Sequence, residues 1–334
     1  MKQKLHAQIR AELALLVSQR LLTFAQFERL AERYPTGRWD VVSLVRWFTI
    51  LGAVSMGAGV LLLAPKVMDW RNLLDGGLVV AAAAGLAGGR WLARTRGLTR
   101  TGAALELLGA MCLQGATVSL ATHYSTGSDD WPSLVGVDTG LLLVAAYGLQ
   151  NRLVLIDACI NAFVWFGGST GYVSGWGAYW LGMNYPVRFL VAGVVTLAVA
   201  WVHARWAPEA WRHFSRVWTH FGLLVMHLSL WFLSLFGYFE TTVRWDGTEG
   251  ERLAFSAAWA VFCLGCFAVA SAFGLQVVGT YATVFLVIDV YTFYFQFVVR
   301  HSAEWWFVHL LLVGGSLVGL GLWAERRRRG GEAT

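Results

Sequence analysis

Apolar residues run in stretches of about 17–23 along most of the chain, broken by short polar or charged segments; about 20 such residues cross a bilayer core. Ten runs are read as membrane spans: 44–64, 73–91, 102–121, 133–149, 153–170, 187–204, 217–239, 253–272, 276–298 and 304–323. The fourth and fifth are separated only by Gln150-Asn151-Arg152, which predicts a tight helical hairpin. The pattern defines an all-α fold, a polytopic transmembrane helical bundle of about ten spans. Three regions follow: residues 1–40, a transmembrane domain over 41–325, and a basic tail over 326–334.

The first forty residues have a different rhythm. Leu5, Ile9, Leu13 and Leu16 fall on one face of a helix, with charged and polar residues elsewhere. A second short helix starts at Thr23, where Thr23 and Gln26 have capping-box spacing. Phe24, Phe27 and Tyr34 lie on its apolar face, and Pro35 ends it, because the residue before a proline is pushed out of the α region. These helices are expected to form an amphipathic hairpin. The segment lacks a basic start followed by a short apolar core, so the first span is expected to act as an uncleaved insertion signal.

Composition agrees with the spans. Charged residues make up 14% of the chain and hydrophobic ones 57%, against about 25% charged in a soluble domain. The net charge of +6 does not indicate nucleic acid, because the basic residues flank the apolar runs and close the chain. With the N-terminus inside, 20 of the 26 Lys and Arg fall in inside segments, as the positive-inside rule requires. Both termini are therefore expected in the cytoplasm, with the tail Arg326 to Arg329 fixing orientation and meeting anionic headgroups. Cys112, Cys159, Cys263 and Cys266 all lie in apolar runs, which argues against a disulfide framework. Gly85/Gly89, Gly167/Gly171 and Gly315/Gly319 have the spacing that lets helix backbones approach.

The segment Leu21-Leu-Thr-Phe-Ala-Gln-Phe-Glu-Arg-Leu-Ala-Glu-Arg-Tyr-Pro35 leads to a Gly-rich first span, Leu51-Gly-Ala-Val-Ser-Met-Gly-Ala-Gly-Val-Leu-Leu-Leu63, and then Asp69-Trp70. Over roughly the first 75 residues this resembles a bacterial membrane family, domain of unknown function (DUF) 2157. Similar members usually show Asn-Trp where Asp69-Trp70 stands. The resemblance implies a membrane location and this architecture, and leaves activity open.

Ionisable groups inside a membrane are costly and mark pairing or a pathway. Five sets stand out. Asp157 and Asn161 share a face of the fifth span, and Asp289, Thr292 and Gln296 form a stripe on the ninth. His220, His227 and Ser234 recur every seven residues, as do Ser302, His309 and Ser316. Glu106 and Gln114 lie on the third span. Each set fits interhelical hydrogen bonding, and each also fits a proton or ion path, with Asp289 nearest mid-depth. His220 and His227 stand about 10.5 Å apart along the helix axis, too far to share one metal ion. Neither a phosphate-binding Gly-x-x-x-x-Gly-Lys-Ser/Thr loop nor a Gly-x-Ser-x-Gly elbow occurs. No catalytic residue, metal or cofactor is assigned.

The missing motifs favour a non-catalytic scaffold or accessory protein of the bacterial inner membrane, embedded in the lipid bilayer and meeting a cytoplasmic protein through residues 1–40. A small-solute or proton-coupled transporter using the intramembrane carboxylates is the alternative. An intramembrane enzyme on a lipid substrate, with Asp157 and His220 as an acid–base pair, is a third reading. The uncharged loop 171–186 is expected either at the outer interface or re-entrant. The sequence assigns no oligomeric state.

Overall fold

The computed structural model describes residues 2–19, 21–31, 71–124, 131–173, 180–238, 247–299 and 305–330, with five further helical positions between 51 and 59. The first expected span lies mostly outside these residues, as do Tyr34, Asp69-Trp70 and Ser302. Helices α1 (Lys2–Ser18) and α2 (Phe24–Ala31) precede the bundle. The bundle contains α3 (Arg71–Thr95), α4 (Thr99–Tyr124), α5 (Trp131–Leu149), α6 (Arg152–Val173), α7 (Tyr185–Arg205), the single-turn α8 (Glu209–Arg212), α9 (Ser215–Phe236), α10 (Glu249–Phe273), α11 (Gln276–Phe293) and α12 (Trp306–Gly330). Among the described residues eight helices are long and apolar enough to cross a membrane. They coincide with the second to ninth expected spans. The expected tenth falls on α12, whose Trp306–Ser316 segment is apolar.

Local chemistry sets the helix ends. Thr23 and Gln26 cap α2 reciprocally: the Thr23 amide donates to Gln26 Oε1 at 3.0 Å, and the Gln26 amide to Thr23 Oγ1 at 3.3 Å. Thr248 and Glu251 repeat that box at α10, so the helix begins ahead of the apolar run expected from residue 253. Gly97 and Gly274 end α3 and α10 at φ +66°, a conformation that costs a glycine little. Between α5 and α6, Gln150 turns the chain at φ 57°. Asn151 then caps α6 by accepting the Leu153 amide at 2.8 Å. The predicted tight hairpin is therefore built from one left-handed residue and one cap.

Neighbouring helices pair as α3–α4, α5–α6, α7–α9 and α10–α11; α4 also packs on α5 and α6, α6 on α9, and α9 on both α10 and α11. Two buried clusters result. One joins Ala110 of α4, Leu142 and Ala146 of α5, Leu155 and Cys159 of α6, and Phe214 and Val217 at the start of α9. The other joins Leu230 of α9, Trp259 and Cys263 of α10, and Phe285 of α11. α9 serves both, which makes it the link between the halves of the bundle.

The predicted glycine contacts divide. A Cβ on Gly85 would stand 2.7 Å from Gly109 Cα, and one on Gly89 would stand 2.6 Å from the Gly102 carbonyl oxygen. The α3–α4 seam therefore depends on having no side chains there. A Cβ on Gly167 would meet the Phe189 ring at 3.0 Å. Gly315 and Gly319 differ from expectation: a Cβ at either meets nothing within 4 Å among the described residues. α12 instead reaches α11 through side chains. His309 bonds to Tyr294, and Ser316 to the Tyr291 hydroxyl at 2.6 Å.

Within the loop 171–186, residues 174–179 lie outside the described residues. Trp180 and Met183 close a reverse turn through paired backbone bonds of 3.0 Å, with Leu181 and Gly182 at positive φ. Tyr238 donates its hydroxyl to the Gly182 carbonyl at 2.6 Å. Arg188, fully buried, donates from Nε to the Met183 carbonyl at 2.9 Å and lies over the Tyr185 ring. Turn and helix start are thus fastened together.

Candidate functional site

α4 carries polar groups down the middle of the first half-bundle, and they meet the α5–α6 turn and helices α6, α5 and α3. Near its N-terminal end, Glu106 is 3% exposed. Its Oε2 accepts from Asn151 Nδ2 at 2.7 Å, and the same nitrogen donates to the Ala103 carbonyl at 2.9 Å. Two turns further on, Gln114 donates to Asp157 Oδ2 of α6 at 2.8 Å. Asn161 lies on the other side of that carboxylate, 3.4 Å from Oδ1. Thr117 donates to Asp138 of α5, and Ser119 to Asp75 of α3. Helices α3, α5 and α6 are thereby tied to α4 by short polar side chains, where lipid leaves no hydrophobic drive between helices.

The second half-bundle repeats the device with one acid. Asp289 on α11 is 3% exposed and accepts from Ser256 of α10 at 2.8 Å. Along the same stripe Thr292 accepts from Trp231 Nε1 at 3.0 Å, and Gln296 donates to the Leu235 carbonyl at 3.2 Å. The Asp289–Thr292–Gln296 face is therefore shared, as expected. It points at α9 and α10. Gln296 sits in a π-helical turn, Tyr294–Val298, which shifts its register relative to α11.

His220 and His227 lie against aromatic rings. His227 is fully buried, takes a hydrogen bond from Trp259 Nε1 at 3.1 Å and stacks on Phe285 with ring centroids 4.5 Å apart. Cys263 Sγ is 3.9 Å from its Nδ1. His220 lies 3.3 Å from the Tyr281 hydroxyl. Among the described residues Asp157 and His220 thus have separate hydrogen-bond partners. All four cysteines are free thiols.

Several functional-looking groups were missed by sequence reasoning. Asp75 and Asp138 are both buried, and both lie inside expected spans, so the cost of an intramembrane acid that marked Asp157 and Asp289 applies to them as well. Tyr147 ties three elements: its hydroxyl is 2.6 Å from His203 Nε2 and accepts from Trp218 Nε1 at 3.1 Å, while its carbonyl accepts from Trp211 Nε1. No spacing rule marks that cluster.

One cavity opens onto the polar groups of α4. It has a volume of about 610 Å³ and lies where α3 meets α4, α5 meets α6, and α7 turns into α9; Arg90, Arg100, Arg152, His213, Asn151 and Glu106 are among its lining. Arg90 is half-buried and fixed there by a 2.8 Å bond from Nη1 to the Leu149 carbonyl. Asn151 contributes to the floor, and Glu106 Oε1 has no hydrogen-bond partner among the described residues.

Of the partner-docking candidates, Ile9, Leu13 and Leu16 are half-buried and Leu15 beside them is exposed. α1 and α2 pack on one another.

Fold and site together define an all-α membrane protein whose helices are joined by buried acids and amides. Within that class, the model of a family described as "Predicted membrane protein (DUF2157)" matches residues 14–155. The match runs from α1 through the α5–α6 turn and includes Glu106, Asp138 and Asn151. No curated protein and no solved structure matches the chain.

Proposed function

We propose that this chain is a multi-pass protein of the bacterial inner membrane, with both termini cytoplasmic, and that it acts as a non-catalytic scaffold or accessory protein. The bundle is its anchor, and the helical pair α1–α2 meets a cytoplasmic partner. The observation that carries this reading is the pairing of the acids within the bundle. Glu106, Asp138, Asp157 and Asp289 each end on an amide or hydroxyl from a neighbouring element. Such pairing fits acids that hold helix register. Leu15 and Leu21, 58% and 69% exposed, offer apolar contact ahead of the bundle.

Co-purification from membranes tests it, comparing the full chain with one lacking residues 1–40 at equal abundance. The reading expects a soluble protein to be lost on deletion, and identical partner sets would refute it.

A second reading, proton-coupled transport, is favoured by one observation: Glu106, Asp157 and Asp138 succeed one another inward from the cavity along α4. It expects Asp157→Asn and Asp289→Asn to abolish flux in proteoliposomes while membrane abundance is unchanged. Normal flux in both variants would remove it.

A further inference from the structure

We propose that the arginine-lined cavity is a binding site for a small zwitterion, a phosphate joined through a short linker to a primary ammonium. The phosphate is held by the guanidinium groups of Arg90, Arg100 and Arg152, and the ammonium is received by Glu106 Oε1. The volume of about 610 Å³ is that of a ligand pocket, typically about 300–1,000 Å³.

The site is built rather than incidental. Glu106 is 3% exposed, yet Oε1 has no hydrogen-bond partner among the described residues. The side chain has little freedom to turn elsewhere. Asn151 holds Oε2 at 2.7 Å, and a Cβ on Gly89 would already stand 2.7 Å from Glu106 Cγ. A buried acceptor left unmade is unfavourable, and an ammonium bearing three donors completes it. Above this floor stand three arginines, the side chain whose planar fork matches phosphate oxygens. Arg90 is fixed by the Leu149 carbonyl, while Arg100 and Arg152 are exposed at the rim.

The order of charges sets the specificity. An anion alone meets favourable arginines but places its charge towards the Glu106 carboxylate. A cation alone meets the carboxylate but must pass the arginines. A molecule with both ends satisfies both layers. A quaternary ammonium has no N–H to give Oε1, so choline is discriminated from ethanolamine. Two sources share this chemistry: a phosphatidylethanolamine headgroup entering from the membrane, and free O-phosphoethanolamine.

The test uses the purified full chain in detergent. Lipid retention is read by native mass spectrometry with short-chain phosphatidylethanolamine, phosphatidylcholine and phosphatidylglycerol, and free O-phosphoethanolamine by calorimetry. The expected result is at least tenfold preference for an ethanolamine ligand over phosphatidylcholine. Binding of the lipid alone assigns the headgroup source, and binding of the free compound assigns the soluble one; either supports the site. Glu106→Gln should remove the ethanolamine preference. Arg152→Gln, at an exposed rim position, should weaken phosphate-bearing ligands at least tenfold without lowering the unfolding midpoint. Equal binding of ethanolamine and choline lipids by the native chain, failure of both ethanolamine probes to bind, or undiminished binding by the rim variant would overturn the proposal.

Discussion

Replacing Asn151 with alanine removes three hydrogen bonds at the point where four elements of the bundle converge. Nδ2 donates to Glu106 Oε2 at 2.7 Å and to the Ala103 carbonyl at 2.9 Å, and Oδ1 accepts the Leu153 amide at 2.8 Å. Loss of the α6 cap costs about 1 kcal/mol. Loss of the donor to Glu106 is worth about 1.5–3 kcal/mol for a charged acceptor, reduced towards about 0.6 kcal/mol by the membrane setting. Asn151→Ala is therefore expected to destabilise the bundle by about 2–4 kcal/mol. Asn151→Asp separates the contributions: it keeps the cap, but faces Glu106 Oε2 with a second carboxylate. It should therefore be at least as destabilising as the alanine. The assay is reversible unfolding in mixed micelles of rising denaturing-detergent fraction, followed by tryptophan fluorescence. Loss within about 0.5 kcal/mol of zero for both variants, the range of an ordinary surface substitution, would refute the claim that Asn151 joins α4 to the α5–α6 turn.

Other variants test the remaining seams in the same assay. Gly85→Val places a side chain 2.7 Å from Gly109 Cα and should cost at least about 1–3 kcal/mol through overpacking. Gly77→Ala, whose Cβ would meet nothing within 4 Å among the described residues, should stay within about 0.5 kcal/mol of the native chain. Ser256→Ala strands Asp289, for a loss of about 1–3 kcal/mol, and adding Asp289→Leu should recover most of it, since replacing both partners of a bond can be nearly neutral. Tyr147→Phe deletes the hydroxyl shared by His203 and Trp218. It should lower the unfolding midpoint and shift indole emission; an unchanged spectrum would count against the cluster.

The positions of the membrane helices were legible in the sequence, because a span is announced by an unbroken apolar run. The expected 102–121 and 276–298 lie within or along α4 and the α11 helix with its π turn. The α2 cap was legible too, since Thr23 and Gln26 satisfy one another locally. Helix pairing was not. These helices are apolar on most faces, so the pattern that tells a soluble helix which side to bury is weak. Gly85 and Gly315 stand in equally suggestive pairs, yet only Gly85 meets another helix closely. The shared face of Asp289, Thr292 and Gln296 followed from helical spacing, but its partners Ser256, Trp231 and Leu235 lie 33 to 61 residues away. The cavity around Glu106 joins three separate turns, and no local spacing brings Arg90, Asn151 and His213 together.

The functional reading turns on orientation. The helical pair must face the cytoplasm to meet a soluble partner, and the turns at Gly97 and Gln150 must lie on that same side. Paired reporters, one active only inside the cell and one only outside, should be inserted after Gly97 and after Thr334, and between residues 125 and 130. The account predicts inside signals at Gly97 and Thr334 and an outside signal at 125–130; an outside signal at Thr334 would contradict it.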